Sequence, residues 1–202
     1  MGADAAVKQT LPREIAEARI NDLYRNHARD ILGYALRRSR DPEDAADIVA
    51  ETFLVAWRRL DVVPTEALPW LLGVARKVIA NQRRAAGRRA PNGPLVPLEA
   101  VADVDPRAAV ADLVADRQAF ATAFAALSPA DREVLALVSW DGLSAREAAT
   151  VLGCKPSTFH LRLHRARRRL LKELGAAGHS FGEHSAGPTA HFRAEASDAR
   201  CR

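Results

Sequence analysis

The stretch SAREAATVLGCKPSTFHLRLHRARRRLLKEL, residues 144–174, decides the fold of the C-terminal half of the chain. Ser144 is predicted to begin a short helix, and the segment LGCKP that follows is predicted to form a tight turn. A longer amphipathic helix is predicted after the turn. A short helix, a glycine-containing turn and a longer basic helix are the arrangement of a helix-turn-helix, the motif with which many proteins read DNA.

The longer helix has two faces of different character. Phe159, Leu163, Ala166 and Leu170 lie along one stripe at helical spacing, and we expect them to pack on the preceding short helix at Ala148, Ala149 and Leu152. Seven basic residues lie between Lys155 and Lys172 with no acid among them. Such a dense run of like charges repels itself unless an anion relieves it, although a solvated basic helix on an ordinary bundle is the alternative interpretation.

The face opposite the apolar stripe is predicted to enter a major groove. We expect base edges to be contacted by the side chains nearest the start of the helix, and phosphates by the arginines that flank them. The predicted base-contacting residues are His160, Leu161, His164 and Arg165, with Ser157 and Thr158 at the start of the helix, and the predicted phosphate-contacting residues are Arg162, Arg167 and Arg168.

Composition limits the rest of the chain to a small set of architectures. The 202 residues are 48% hydrophobic and 5% aromatic, which predicts an all-α protein of two small helical domains. The formal charge of +5 favours an anionic partner. No apolar run long enough to cross a membrane and no signal peptide is visible, so we expect a cytoplasmic protein without membrane insertion. Cys154 and Cys201 match neither a disulfide framework nor a zinc site.

The N-terminal half is predicted to contain three helices, over about residues 12–38, 42–59 and 65–86, the second capped by Asp41. The segment GRRAPNGPLVPLEAVADVDPRAAV has four prolines and no stable period, which is typical of a linker. After it, further helices are predicted over residues 113–127, from Ser128 and from Ser144. We expect the last part of the chain, residues 176–202, to be a disordered tail, because it has too little apolar material to offset the entropy of ordering.

Two neighbouring helices of the N-terminal half carry opposite charge. The segment DAADIVAETFLVAWRRL, residues 44–60, has an acidic edge beside an apolar stripe of Ile48, Val49, Phe53 and Ala56. The segment ALPWLLGVARKVIANQRRAAGRR, residues 67–89, has six Lys and Arg residues and no acid. One helix is therefore expected to repel DNA and the next to attract it.

At these residues the sequence resembles bacterial sigma factors of the extracytoplasmic-function group, the minimal two-domain members of the sigma-70 family. DAADIVAETFLVAWRRL and PWLLGVARKVIANQRR resemble the first conserved domain of the family, and LSPADREVLALVSWDGLSAREAATVLGCKPSTFHLRLHRARRRL resembles the second. The resemblance covers about residues 15–175. It implies that residues 11–88 bind core RNA polymerase and open the downstream promoter element, that 89–112 are a flexible linker, and that 113–175 read the upstream element of promoter DNA.

The resemblance also implies residue roles in the first domain. The loop DVVPTE and Trp70 lie where the family captures a flipped base, although Trp70 is equally explained as a core residue. The implied downstream DNA-binding residues are Trp70, Arg76, Lys77, Asn81, Arg83 and Arg84, and the implied polymerase-binding residues are Asp44, Asp47, Ile48 and Glu51.

The chain departs from the family pattern at several positions. Ala46 and Ala50 stand where the family usually has Glu and Gln, and Lys155 stands where a small residue commonly caps the reading helix. His160 and Leu161 replace residues that are usually basic or polar. We therefore expect a promoter preference of its own.

Other function classes have weaker support. No Gly-rich phosphate loop and no Ser-His-Asp arrangement is visible, so we expect no catalysis, no metal, no cofactor and no small-molecule substrate. The alternatives are a stand-alone helix-turn-helix regulator that binds a palindromic operator as a dimer, and a protein-interaction module that sequesters polymerase or another sigma factor. An anti-sigma factor is a further expected partner, clamped between the two domains.

Overall fold

The computed structural model describes residues 12–39, 41–85 and 110–176, with side chains from residue 117 onward in the last range. The chain divides into two compact units on either side of the boundary between Ala90 and Pro91. The first unit contains α1 (Arg13–Leu36), α2 (Pro42–Arg58), a single 3-10 turn (Leu60–Val62) and α3 (Ala67–Ala85). The second contains α4 (Val110–Ala126), α5 (Pro129–Ser139), α6 (Ala145–Leu152) and α7 (Pro156–Ala176). The described residues include no strand, which agrees with the predicted all-α fold class.

The first unit is a three-helix core in which each helix packs on the other two. The predicted cap of α2 is confirmed, since the Asp41 side chain accepts a hydrogen bond from the Asp44 backbone N–H at 2.7 Å and Pro42 occupies the first helical position. The residues buried between the helices are mostly aliphatic: Ile31, Ala35, Ala45, Ile48, Val49, Ala56, Leu71, Leu72, Ala75, Val78 and Ile79. Tyr24, on the same side of α1, stays 54% exposed, and its ring contacts that of Phe53 at a centroid distance of 4.9 Å with the rings tilted by 56°.

Three arginines fasten the first unit internally. Arg19 on α1 donates to the carbonyl oxygen of Val63 in the loop between α2 and α3, at 2.6 Å. Arg38 is 4% exposed, with its guanidinium 3.6 Å from the centroid of the Tyr34 ring. Arg83 near the end of α3 donates to the carbonyl oxygen of Arg38 at 2.8 Å. Hydrogen bonds from a charged donor are stronger than neutral ones, so these contacts fix the loop and the end of α3 relative to α1.

In the second unit, α4, α5 and α6 all pack on α7. The predicted starts of α5 and α6 are confirmed: Ser128 accepts from the Asp131 backbone N–H, and Ser144 forms a reciprocal capping box with Glu147. Gly153 ends α6 with φ of 63°, a left-handed conformation that costs other residues about 1–2 kcal/mol. This glycine turns the chain directly into α7.

The beginning of α4 differs from the prediction. The helix starts at Val110, inside the predicted linker 89–112, because no proline or glycine interrupts the chain between Pro106 and Pro129. The remainder of the predicted linker and the predicted tail after residue 176 lie outside the described residues.

Candidate nucleic-acid interface

The reading helix α7 is oriented as its sequence pattern predicts. Phe159, Leu163, Ala166 and Leu170 are each no more than 5% exposed. On α6, which packs against α7, Ala148 and Ala149 are buried and Leu152 is half-buried. The apolar stripe therefore faces the domain core and turns the opposite side of the helix toward solvent.

The solvent-facing side of α7, which we call the reading face, carries nearly all of the residues predicted to contact the upstream element. Thr158 is half-buried, and the others are exposed: Ser157, His160, Leu161, Arg162, His164, Arg165 and Arg168. Within the described part of the chain, no carboxylate forms an ion pair with the histidines or arginines of this face. The positive charge of the arginines is left for an external anion.

Arg167 is placed differently from the prediction. Its position on the helix is next to Leu163 and Ala166, so the side chain is half-buried and interacts within the protein instead of lying on the reading face. The sequence run RRR at 167–169 therefore splits into three environments, and Arg168 alone of the three belongs to the face predicted to meet DNA.

Arg169 anchors α7 to the start of α5, a role that sequence reasoning missed. Its Nη1 lies 2.6 Å from Oδ2 of Asp131, whose residue is 8% exposed. The Ser128 hydroxyl donates to the same carboxylate oxygen at 2.6 Å, and Ser128 Oγ accepts from the Asp131 backbone N–H at 3.2 Å. The helix cap of α5 and the attachment of α7 thus share one carboxylate. The sequence signal for this role is Asp131, an acid three residues after Ser128 at the Ser-Pro start of α5.

The acidic edge of α2 is exposed as predicted at Asp44, Asp47 and Glu51. Ile48, predicted to bind polymerase with them, is only 1% exposed. One residue along a helix rotates the side chain by about 100°, so Ile48 points into the core while Asp47 points outward. Its assignment as a contact residue is wrong.

Two large apolar side chains on α2 were not predicted to be exposed. Leu54 is 47% exposed and Trp57 is 41% exposed. Leu54 follows Asp47 and Glu51 by seven and three residues, spacings that place all three on the same side of a helix. The outward side of α2 therefore combines two carboxylates with an apolar patch, which suits a protein partner better than a nucleic acid.

On α3 the predicted DNA-binding residues separate into two groups. Arg76 and Lys77 are exposed, and no hydrogen bond or ion pair holds them within the described residues. Arg83 is half-buried and bound to the Arg38 carbonyl, while Arg84 donates to the side-chain oxygen of Asn81. Arg83 therefore holds the helix in place, whereas Arg76 and Lys77 are exposed cations without such a contact.

Trp70 and the loop before it lie at the start of α3. Trp70 is half-buried, so its ring both packs on the domain and retains an open part. In the loop, Val63 is 4% exposed and accepts the hydrogen bond from Arg19, whereas Val62 is 50% exposed. The loop is thus fixed at Val63 and presents its other side chains to solvent.

The described residues contain no group of three or more His, Cys, Asp or Glu side chains that could hold a metal ion. No helix in the same residues is long and apolar enough to cross a membrane.

Models of known protein families match both units of the chain. The family model for sigma-70 region 2 matches residues 23–89, and the model for sigma-70 region 4 matches residues 117–170. The first match contains α2 and α3, and the second contains α6 and α7 up to Leu170.

Two curated relatives match over most of their length. The chain is 38% identical over 159 residues to the ECF RNA polymerase sigma factor SigL of Mycobacterium tuberculosis, covering 76% of this chain and 89% of that protein. It is 30% identical over 182 residues to the RNA polymerase sigma factor NccH of Alcaligenes xylosoxydans xylosoxydans, covering 83% and 94%.

Solved structures share the fold. The sigma factor RpoE of Bartonella quintana, in complex with the anti-sigma factor NepR, matches with a TM-score of 0.54 and 25% identity, over 78% of this chain and 97% of that one. CnrH, in complex with the cytosolic domain of CnrY, matches with a TM-score of 0.53 and 24% identity, over 79% and 90%.

Proposed function

This chain belongs to the extracytoplasmic-function group of the sigma-70 family and is a promoter-specific transcription initiation factor, and we propose how its residues divide that work. Region 2 and region 4 matches on one chain disfavour the stand-alone regulator considered above. The reading face of α7 binds the upstream promoter element. The cations of α3 and the loop before it hold the opened downstream element, and the outward side of α2 binds core RNA polymerase. The chain performs no chemistry itself, because RNA synthesis belongs to the polymerase.

The observation that carries the proposal is the unneutralised charge of the reading face. Arg162, Arg165 and Arg168 are exposed, while the neighbouring Arg169 is paired with Asp131. A helix fixed to its domain by its apolar stripe and Arg169, with Arg162, Arg165 and Arg168 directed outward, has the geometry that major-groove reading requires. The phosphates of DNA supply the anions that the protein does not.

The three kinds of contact are proposed for different physical reasons. Unpaired DNA is bound by positive charge beside a surface on which a base can stack, and α3 offers Arg76 and Lys77 together with the half-buried ring of Trp70. A protein interface needs an apolar centre with polar surroundings, and α2 offers Leu54 and Trp57 next to Asp47 and Glu51. An anti-sigma partner is proposed from similarity to RpoE, whose solved structure contains the anti-sigma factor NepR.

Reconstituted transcription tests the proposal. Core RNA polymerase with the purified chain is expected to produce transcripts from a defined start site on a subset of promoters, and core enzyme alone is not. Binding of the chain to DNA as a dimer without any effect on transcription would contradict the proposal and favour a stand-alone regulator. Binding to polymerase without transcripts from any promoter would instead favour a sequestering module.

The polymerase contact is tested by reversing the acidic edge. Asp47→Lys together with Glu51→Lys places cations where we propose that carboxylates face the polymerase, and like charges across an interface cost several kcal/mol, so core affinity should fall by roughly a hundredfold or more. The matched control is Glu14→Lys with Asp30→Lys, which makes the same charge change at exposed positions of α1. Equal core affinity of the two double variants in a binding titration would overturn the assignment of α2.

A further inference from the structure

Leu161 is an apolar side chain in the middle of a cationic face. It is 49% exposed, although leucine is among the residues most often buried. Its neighbours one turn away along the helix are Ser157 and Thr158 on one side and His164 and Arg165 on the other. The position is opposite the buried stripe of Phe159, Leu163 and Ala166, so Leu161 points directly away from the domain.

The location of Leu161 along α7 places it among the residues that reach bases. The helix begins at Pro156, so Leu161 belongs to its second turn. In helix-turn-helix proteins the N-terminal residues of the second helix contact base edges, whereas later residues meet the backbone. A phosphate offers nothing to an aliphatic side chain, and a leucine here gains free energy only by meeting an apolar atom of a base.

The major-groove edge of DNA presents one apolar group, the C5-methyl of thymine. We propose that Leu161 contacts a thymine methyl in the upstream promoter element and makes this chain prefer T at one position of that element. This inference rests on the proposed reading role of α7, and it deepens that role by naming the chemical group that is read. His164 and Arg165 supply the hydrogen-bond donors for the bases on either side.

Replacing thymine by deoxyuridine tests the inference directly, because the substitution removes the methyl and keeps the base pair. The preferred upstream element is first selected from a randomised library with the holoenzyme assembled from core RNA polymerase and the full chain. Each T of either strand is then replaced in turn. One replacement is expected to weaken binding about fourfold, the loss for one methyl group left in water instead of in an apolar contact.

Two leucine variants show whether Leu161 is responsible. Leu161→Ala should bind the T-containing element with a similar loss, and deoxyuridine at the sensitive position should then have no further effect. Leu171→Ala is the matched control: Leu171 is 66% exposed on the same helix but lies about 15 Å further along its axis, so the variant should keep the full sensitivity to deoxyuridine. Both side chains are exposed, and circular dichroism should show the same helix content in each variant.

Several outcomes would overturn the inference. The first is a preferred element in which no position favours T. The second is a complete set of deoxyuridine replacements that leaves binding unchanged. The third is a Leu161→Ala variant that is as sensitive to deoxyuridine as the wild type. Each of these leaves promoter-specific binding by the wild-type holoenzyme intact. Absence of any sequence preference in the wild-type holoenzyme would overturn the proposed reading role of α7 itself, and this inference together with it.

Discussion

The basic helices α3 and α7 carry similar side chains but are fastened to their units in different ways. On α7, Arg169 is paired with the buried carboxylate of Asp131, so the anchoring charge is neutralised. On α3, Arg83 binds the carbonyl oxygen of Arg38, and the anchor keeps its full positive charge. An arginine of α3 or α7 therefore holds the helix when it has a partner on another element of its unit, and it is available to a ligand when it has none.

The two anchors also leave different surfaces. The reading face of α7 is a set of exposed residues on one side of a helix whose opposite side is buried along its length. A fixed helix of this kind suits duplex DNA, since discrimination between bases requires donors at defined positions. On α3, the half-buried Trp70 lies at the start of the helix after a loop fixed by Arg19, and the exposed Lys77 follows about two turns later on the same side of the helix, an arrangement that suits strands already separated.

Among changes to the two basic helices, the largest effect is expected on the reading face of α7. Arg165→Ala should cost about 1–3 kcal/mol on the preferred upstream element and relax the preference at one base position, as for a lost bidentate contact to guanine. Arg168→Ala should weaken binding to all sequences alike and lower the salt slope by about one, because it removes a phosphate contact. Affinities of the holoenzyme for a library of upstream elements at several salt concentrations give both quantities.

The reverse pattern would show that α7 is rotated from the placement proposed. If Arg165→Ala weakened binding to all sequences uniformly while Arg168→Ala changed the preferred bases, Arg165 would be the phosphate contact and Arg168 the base contact. Such a result would leave the anchors of α3 and α7 as described and would overturn only the roles assigned to Arg165 and Arg168.

A smaller effect is expected from the anchor of α7. Asp131→Ala removes the partner of both Ser128 and Arg169, and we expect it to lower the free energy of unfolding of the second unit by about 2 kcal/mol. Arg169→Ala should cost about 1 kcal/mol or less, because the arginine side chain is 59% exposed and the Asp131 carboxylate keeps its bond to Ser128. Hydrogen exchange of the α5 and α7 amides measures both values. Equal exchange in Asp131→Ala and in the exposed control Arg168→Ala would contradict the anchor.

The smallest effect is expected from the anchor of α3. Arg83→Ala removes one half-buried hydrogen bond to the Arg38 carbonyl, so the first unit should lose about 1 kcal/mol of unfolding free energy. Arg84→Ala, at the next position and exposed, should change it by less than about 0.5 kcal/mol. Hydrogen exchange of the α1 and α3 amides compares the two. A larger loss in Arg84→Ala would mean that the arginines exchange roles in solution.

Helix starts and buried faces were predictable because they depend on local chemistry. Ser128 and Ser144 each precede a helix, and each accepts a backbone hydrogen bond in the structure. The stripe from Phe159 to Leu170 is buried because a period of 3.6 residues leaves one side of α7 without polar groups. These features need only the neighbouring residues of the sequence.

Residue roles were less predictable because they depend on helix phase and on distant partners. Ile48 was grouped with Asp47 by motif resemblance, but the two side chains point about 100° apart around the helix. Arg83 and Arg169 are anchors because of groups 45 and 38 residues away along the chain. The runs QRR and RRR do not by themselves show that Arg83 and Arg169 are the arginines with these distant partners.

A comparison of duplex and premelted promoters tests the central claim, that α7 reads duplex DNA while α3 holds opened strands. Holoenzyme carrying Arg76→Ala and Lys77→Ala, and holoenzyme carrying Arg165→Ala, are each assayed for transcription on a duplex promoter and on the same promoter with a mismatched bubble at the downstream element. Premelting removes the cost of strand separation, so it should restore most of the transcription lost in the α3 variant and leave the defect of Arg165→Ala unchanged. Equal rescue of both variants, or rescue of Arg165→Ala alone, would contradict the division of work between the two helices.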